Sequence, residues 1–97
     1  MYRDEYHPGF KKDLKKLDKP VIAHIRDTLI DRILEQPDKA DILSGNLCGI
    51  YSYHFKLNKV EYRICYLIEE SEKTVYFLMT GKRENVYNIL QNRIKNV

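Results

Sequence analysis

Two hydrophobic periods follow one another along the chain, and the points where they change mark the elements. Tyr2, Asp4 and Tyr6 alternate with Arg3 and Glu5 until His7-Pro8-Gly9 interrupts them, which predicts a short strand over 1–6, suited to a sheet edge. From Pro8 the period becomes helical. Phe10, Leu14 and Leu17 share one face, Lys11, Lys12, Lys15 and Lys16 fill the other, and Pro8 suits the first turn because its missing N–H would have no partner there. Asp18-Lys19-Pro20 breaks this helix. A second begins at once, with Ile22, Ile25, Leu29 and Ile33 at three- and four-residue spacing and Val21, Ile30 and Leu34 widening the stripe, until Gln36-Pro37 stops it. So short a link folds the two helices into a hairpin. Asp13 and Asp18 interrupt the lysines of the first helix, so that face reads as solvated rather than as a binding surface.

After a polar connection over 37–49, the period drops to two. Tyr51, Tyr53, Phe55 and Leu57 alternate with Ser52, His54 and Lys56; a turn at Asn58-Lys59 leads to Tyr62, Ile64, Tyr66 and Ile68, alternating with Arg63, Cys65 and Leu67. Glu69 to Glu72 turns the chain again. Lys73 to Thr80, rich in Val, Tyr, Phe and Thr, makes a third strand that Gly81 is expected to end. Glu84 to Lys95 predicts a C-terminal helix with Val86, Tyr87, Leu90 and Ile94 on one side. The order is strand, helix, helix, strand, strand, strand, helix. It predicts an α+β domain spanning 1–97: a curved antiparallel sheet, an N-terminal helical hairpin packed on one face, and a C-terminal helix.

Composition narrows the class. The chain has 97 residues, enough for one core and too few for two. An apolar run such as Val75 to Met79, which no other exceeds in length, is far short of the roughly 20 residues a membrane helix needs, and acids occupy the N-terminal stretch where a signal peptide would be apolar. A soluble, cytoplasmic protein is expected. The net charge of +3 is unevenly placed: residues 1–46 carry nine basic and nine acidic side chains, residues 47–97 eight and five. The excess therefore lies in the half that holds the three strands, where a polyanionic partner would meet it. Cys48 and Cys65 have no C-x-x-C spacing, and His7, His24 and His54 are scattered, so neither a metal site nor a cofactor is expected. Cys65, amid apolar neighbours, reads as a buried thiol.

Alternation also carries a chemical expectation. If Tyr51, Tyr53, Phe55 and Leu57 take the core face, His54 and Lys56 take the other, side by side. Arg63 joins them if the hairpin register permits, Lys82 and Arg83 follow the third strand, and Tyr87 lies one helical turn beyond Arg83. His54, Lys56, Arg63, Arg83 and Tyr87 form a set without a carboxylate. Such a set suits gripping a phosphodiester and stabilising charge on a pentavalent phosphate: Arg offers paired donors, Lys a point charge, and His, Lys and Tyr can move protons. Taken singly, each has a plainer reading. His54 and Lys56 are ordinary on a solvated strand, Arg63 can pair with Glu61 or Glu84, and Tyr87 can anchor the last helix in the core. The argument is their convergence on one face.

Four stretches carry a family resemblance: Phe10 to Leu17, Leu43 to Tyr51, Glu61 to Tyr66, and Gly81-Lys82-Arg83-Glu84-Asn85-Val86-Tyr87. In this order and over nearly the whole chain, the sequence resembles the RelE/ParE superfamily of type II toxins, with the RelE branch favoured. That resemblance implies a cognate antitoxin, usually in an oligomeric complex, and one of two activities. RelE-type toxins enter the ribosomal A site and cleave mRNA with the substrate 2′-hydroxyl as nucleophile, without a metal; ParE-type toxins bind and poison DNA gyrase. On the RelE pattern the catalytic positions fall on His54, Lys56, Arg63, Arg83 and Tyr87, with Lys59 and Lys82 as further RNA contacts. Two departures stand out. His54 occupies a position where the best-studied type has Lys, and the segment from Arg83 to Tyr87 is two residues shorter. Imidazole titrates near neutrality, so proton transfer survives there while a fixed charge is lost.

Overall fold

The computed structural model describes residues 1–94. β1 (Arg3–Tyr6) leads through His7 into α1 (Pro8–Lys15). His7 caps that helix, its Nδ1 accepting a hydrogen bond from the Gly9 N–H at 2.9 Å. α2 (Lys19–His24) continues through a π-helical turn, Ile25–Leu29, into α3 (Ile30–Glu35), so the predicted second helix is one rod. Next come β2 (Asp41–Ile42), β3 (Tyr51–Leu57), β4 (Val60–Glu69), β5 (Thr74–Lys82), a short helical turn at Arg83–Asn85, and α4 (Val86–Ile94). The Lys95 end of the predicted last helix lies outside the described residues.

The five strands form one sheet in the order β1-β5-β4-β3-β2. It is the expected α+β sheet, with two features that periodicity did not reveal. β1 lies parallel to β5, Arg3 opposite Thr74 and Tyr6 opposite Phe77, so the sheet is mixed rather than wholly antiparallel. β2 is an added edge strand within the polar connection, paired through Asp41–Ser52 and Ile42–Tyr51. β5 also runs through Gly81 to Lys82 instead of ending at the glycine.

Helices cover both faces. On one, α1 to α3 bury Phe10, Val21, Ile25, Leu29 and Ile33 against Ile64, Tyr66, Val75 and Phe77. On the other, α4 lays Val86 and Leu90 over Cys65, Leu78 and Met79, closed below by Leu47 and Ile50. A bulge explains how one apolar run serves both. Cys65 is opposite Met79 and Tyr66 opposite Phe77, so Leu78 is an extra residue that shifts the phase of β5. Val75 and Phe77 then face the helical hairpin, while Leu78 and Met79 face α4.

β1 stops short of the far end of β5, leaving backbone groups at residues 78–80 without a strand. An ion pair completes that edge. The Asp13 Oδ2 accepts from the Thr80 N–H at 3.3 Å, the Arg93 Nη1 donates to the Leu78 carbonyl at 2.9 Å, and the two side chains bond to each other. Both are largely buried. Gly9 lies directly beneath; a Cβ there would fall 2.5 Å from the guanidinium carbon. Asp13, read from the sequence as a break in a lysine face, thus ties α1 to α4 across the sheet edge.

Candidate functional site: an open cleft on the β3–β4 hairpin

A two-residue turn fixes this site. Asn58 and Lys59 both have positive φ, 51° and 68°, the backbone that lets a tight hairpin follow the right-handed twist of its strands. The register follows: Lys56 is opposite Glu61, Phe55 opposite Tyr62, and His54 opposite Arg63. Directly opposed residues share a sheet face. Phe55 and Tyr62 therefore turn to the helical hairpin, and His54, Lys56, Glu61 and Arg63 turn to the other side. Gly81 stands opposite Arg63 on β5, so the row ends in a residue with no side chain.

α4 covers only part of that face. Ser52 and Cys65 are fully buried at the covered end, and burial pushes the Cys65 thiol up to about 11, with its Sγ 3.7 Å from the Ser52 Oγ. Two residues along each strand the cover ends, leaving an open cleft of about 300 Å3 whose walls include His54, Lys56, Glu61, Arg63 and Arg83. A second cavity, of about 670 Å3, continues past Lys56, Glu61 and Arg83 to Lys59 and Glu84.

Four of the five predicted catalytic residues are therefore together. Arg63 is half-buried, and its Nε is out of solvent without a hydrogen-bond partner among the described residues. Arg83 leans onto the Glu61 carboxylate, Nη1 to Oε2 at 2.5 Å. That hydrogen bond, followed by the guanidinium charge and then the charges of Lys56 and Arg63, holds the Glu61 carboxyl below the usual carboxylate range. The partner of Glu61 is thus Arg83, not Arg63. The His54 Nε2 is 3.6 Å from the Asp41 Oδ2 on β2. Asp41 has no signal in the sequence, because β2 is too short to show a period; Glu61 reads there as a partner of Arg63, and its true partner Arg83 lies 22 residues away.

The other predicted residues lie elsewhere. Tyr87 is 54% exposed and lines neither cavity, so it is not the core anchor of α4; Val86 and Leu90 fill that role, with Ile89 and Ile94 half-buried beside them. Lys82 is opposite Tyr62, and that register directs it to the helical-hairpin face, away from His54 and Arg63. Lys59 is exposed at the tip of the turn, on the rim of the second cavity.

Residues 5–91 match the family model described as ParE-like toxin of type II bacterial toxin-antitoxin system. Solved structures are similar throughout the fold. The RelBE2 toxin-antitoxin complex from Mycobacterium tuberculosis contains a chain 23% identical, with a TM-score of 0.75 over 84% of this chain and 98% of that one. A free arginine-to-alanine double mutant of E. coli RelE gives 24% identity and a TM-score of 0.73, covering 99% and 97% of the two chains. The isolated E. coli RelE toxin gives 27% identity and 0.67, over 97% and 99%. No curated protein matches the sequence. With nearly the whole chain matched by the family model and the same fold in the RelE structures, the protein belongs to the RelE/ParE family of type II toxin-antitoxin toxins.

Proposed function

We propose that this toxin is a ribosome-dependent endoribonuclease that cuts mRNA by using the 2′-hydroxyl of the message as nucleophile. The observation that carries the reading is the row of His54, Lys56 and Arg63 on the uncovered end of the sheet, with Arg83 beside it. Three fixed cations and an imidazole around a shallow cleft match the needs of a phosphodiester, whose charge grows as phosphorus becomes five-coordinate.

In this mechanism Arg63 and Arg83 hold the non-bridging oxygens of the scissile phosphate. His54 or Tyr87 takes the proton of the 2′-hydroxyl, whose oxygen attacks phosphorus. The bond from phosphorus to the 5′-oxygen breaks, and Lys56 protonates or stabilises that leaving oxygen. The products are a 2′,3′-cyclic phosphate and a free 5′-hydroxyl. Asp41, close to the imidazole, supports His54 once it carries the proton. Tyr87, exposed on the first turn of α4, is available to a bound nucleotide. Lys59 contacts the flanking backbone of the message; Lys82, on the other face, would need a separate strand or ribosomal RNA. The ribosome supplies the walls that so shallow a site lacks. An antitoxin, as in the RelBE toxin-antitoxin complexes of M. tuberculosis and E. coli, would neutralise the toxin in the cytoplasm, in an oligomeric complex.

The test is purified toxin with programmed ribosomes, primer-extension mapping of the message, and a gyrase supercoiling assay in parallel. Truncated message with a cyclic phosphate end is expected, slowed about 10²- to 10³-fold by Arg63→Ala or Arg83→Ala. Unimpaired cleavage in those variants, or a chemical step that needs magnesium, overturns the mechanism. The ParE-like description of the matched family model favours a second reading, gyrase inhibition by binding alone. Lost supercoiling with intact message would support it.

A further inference from the structure

Glu61 is at odds with its surroundings. It lies between Lys56, Arg63 and Arg83, the one carboxylate among the described residues on the wall of the cleft, and bonds the Arg83 guanidinium. The pair also has a particular position. Lys56, Glu61 and Arg83 line both cavities, so the bonded side chains form a bar between the cleft of His54 and Arg63 and the space that reaches Lys59. Among the described residues, Lys56, Lys59 and Arg63 form no ion pair at all. Among the described residues, Arg83 alone of these four cations is engaged in an ion pair.

Resting on the phosphodiester reading above, we propose that Glu61 is an internal counter-anion: RNA phosphate displaces its carboxylate from Arg83 and joins the two cavities into one groove, Arg63 and Arg83 holding one phosphate and Lys59 the next. Both partners of the pair are about half exposed, at 62% for Arg83 and 52% for Glu61, so the bond is one that solvent and salt already weaken. Arg83 sits past the end of β5, on a short turn rather than in the ladder, and is free to re-aim. The exchange is chemically even: a guanidinium N–H that donates to a carboxylate oxygen donates as well to a phosphate oxygen. With its carboxyl held below the usual range by Arg83, Glu61 is ionised at neutral pH and competes throughout. The result is a toxin whose grip on free RNA is held down by its own side chain.

Binding of the free toxin to a short single-stranded RNA with 2′-O-methyl riboses, which offers no nucleophile, tests this directly. Dissociation constants would be measured against KCl for the native chain, Glu61→Gln, Arg83→Ala and the double variant. Glu61→Gln is expected to tighten binding about twofold to fivefold, the worth of an exposed ion pair. The dependence of log K on log salt should stay close to that of the native chain, since Arg83 meets a phosphate in both, and should flatten by about 0.7 in Arg83→Ala, which neutralises one phosphate fewer on a single strand. Most of the gain should vanish in the Arg83→Ala background. Unchanged or weaker binding by Glu61→Gln, a gain undiminished without Arg83, or no binding by any variant overturns the proposal. Cleavage on ribosomes is read separately. Cut message without tighter binding by Glu61→Gln leaves the nuclease standing and removes the counter-anion; tighter binding with intact message does the reverse.

Discussion

The protein builds the same guanidinium–carboxylate pair in two regions and puts each to a different use. Asp13–Arg93 lies under α1 and α4, its side chains only 10% and 16% exposed, and both groups also bond backbone atoms of β5. Glu61–Arg83 stands in the open cleft and, among the described residues, bonds nothing else that would hold it. Chemistry is identical; cover is not. Where helices exclude water, the pair substitutes for a missing strand and joins two helices to the sheet. Where they do not, the pair is a loose contact that a ligand can open. The same division runs along the sheet face itself: α4 seals Ser52 and Cys65, and two residues further on His54 and Arg63 meet solvent.

Removing one partner from each pair gives the sharpest contrast. Asp13→Ala strands a buried guanidinium and exposes the Thr80 N–H, so a loss of about 3–5 kcal/mol is expected in denaturant unfolding. Arg83→Ala should leave the unfolding midpoint where it is while reducing cleavage. Equal losses of stability in the two variants would erase the distinction.

A second expected effect separates the thiols. At pH 8 Cys65, pushed from 9.0 to about 11, holds about a hundredfold less thiolate than an ordinary cysteine and is also shielded by α4, whereas Cys48 is exposed. Iodoacetamide should label Cys48 alone in the native protein and both on unfolding. Rapid native labelling of Cys65 would mean that α4 does not keep that end of the face closed.

The smallest effect concerns the turn. Lys59 adopts a left-handed backbone that costs a side-chain-bearing residue about 1 kcal/mol, and glycine relieves that cost while losing chain entropy on folding. Lys59→Gly should raise the melting temperature slightly and weaken binding of the 2′-O-methyl RNA. Tighter binding instead would remove Lys59 from the groove and detach the open region from the turn that shapes it.

Much of the fold was legible because it depends on local rules. Alternation from Tyr51 to Leu57 correctly separated core residues from His54 and Lys56. Asn58-Lys59 marked the turn, and the turn set the register that brought Arg63 opposite His54. Parallel pairing of β1 with β5 was not legible, since strands some 70 residues apart show no shared pattern until both are packed. The two-residue β2 was below the length at which any period can be seen. Only the placement of Tyr87 beside Val86 and Leu90 failed: those two, four residues apart, set the buried face of α4, and Tyr87, about 100° round the helix from Val86, meets solvent.

By itself, then, the sequence determined the order of every element but β2, the family, and the kinds of side chain available for chemistry. Those follow from periodicity, turn residues and composition, each of which acts within a few residues. Tertiary structure alone decided which acids meet which bases. Arg83 took Glu61, Arg93 took Asp13, and His54 approached Asp41, because long-range register and helix packing choose among charges that the chain merely supplies. It also decided where cover ends, since the reach of α4 over the sheet makes one end core and leaves the other open to a ligand.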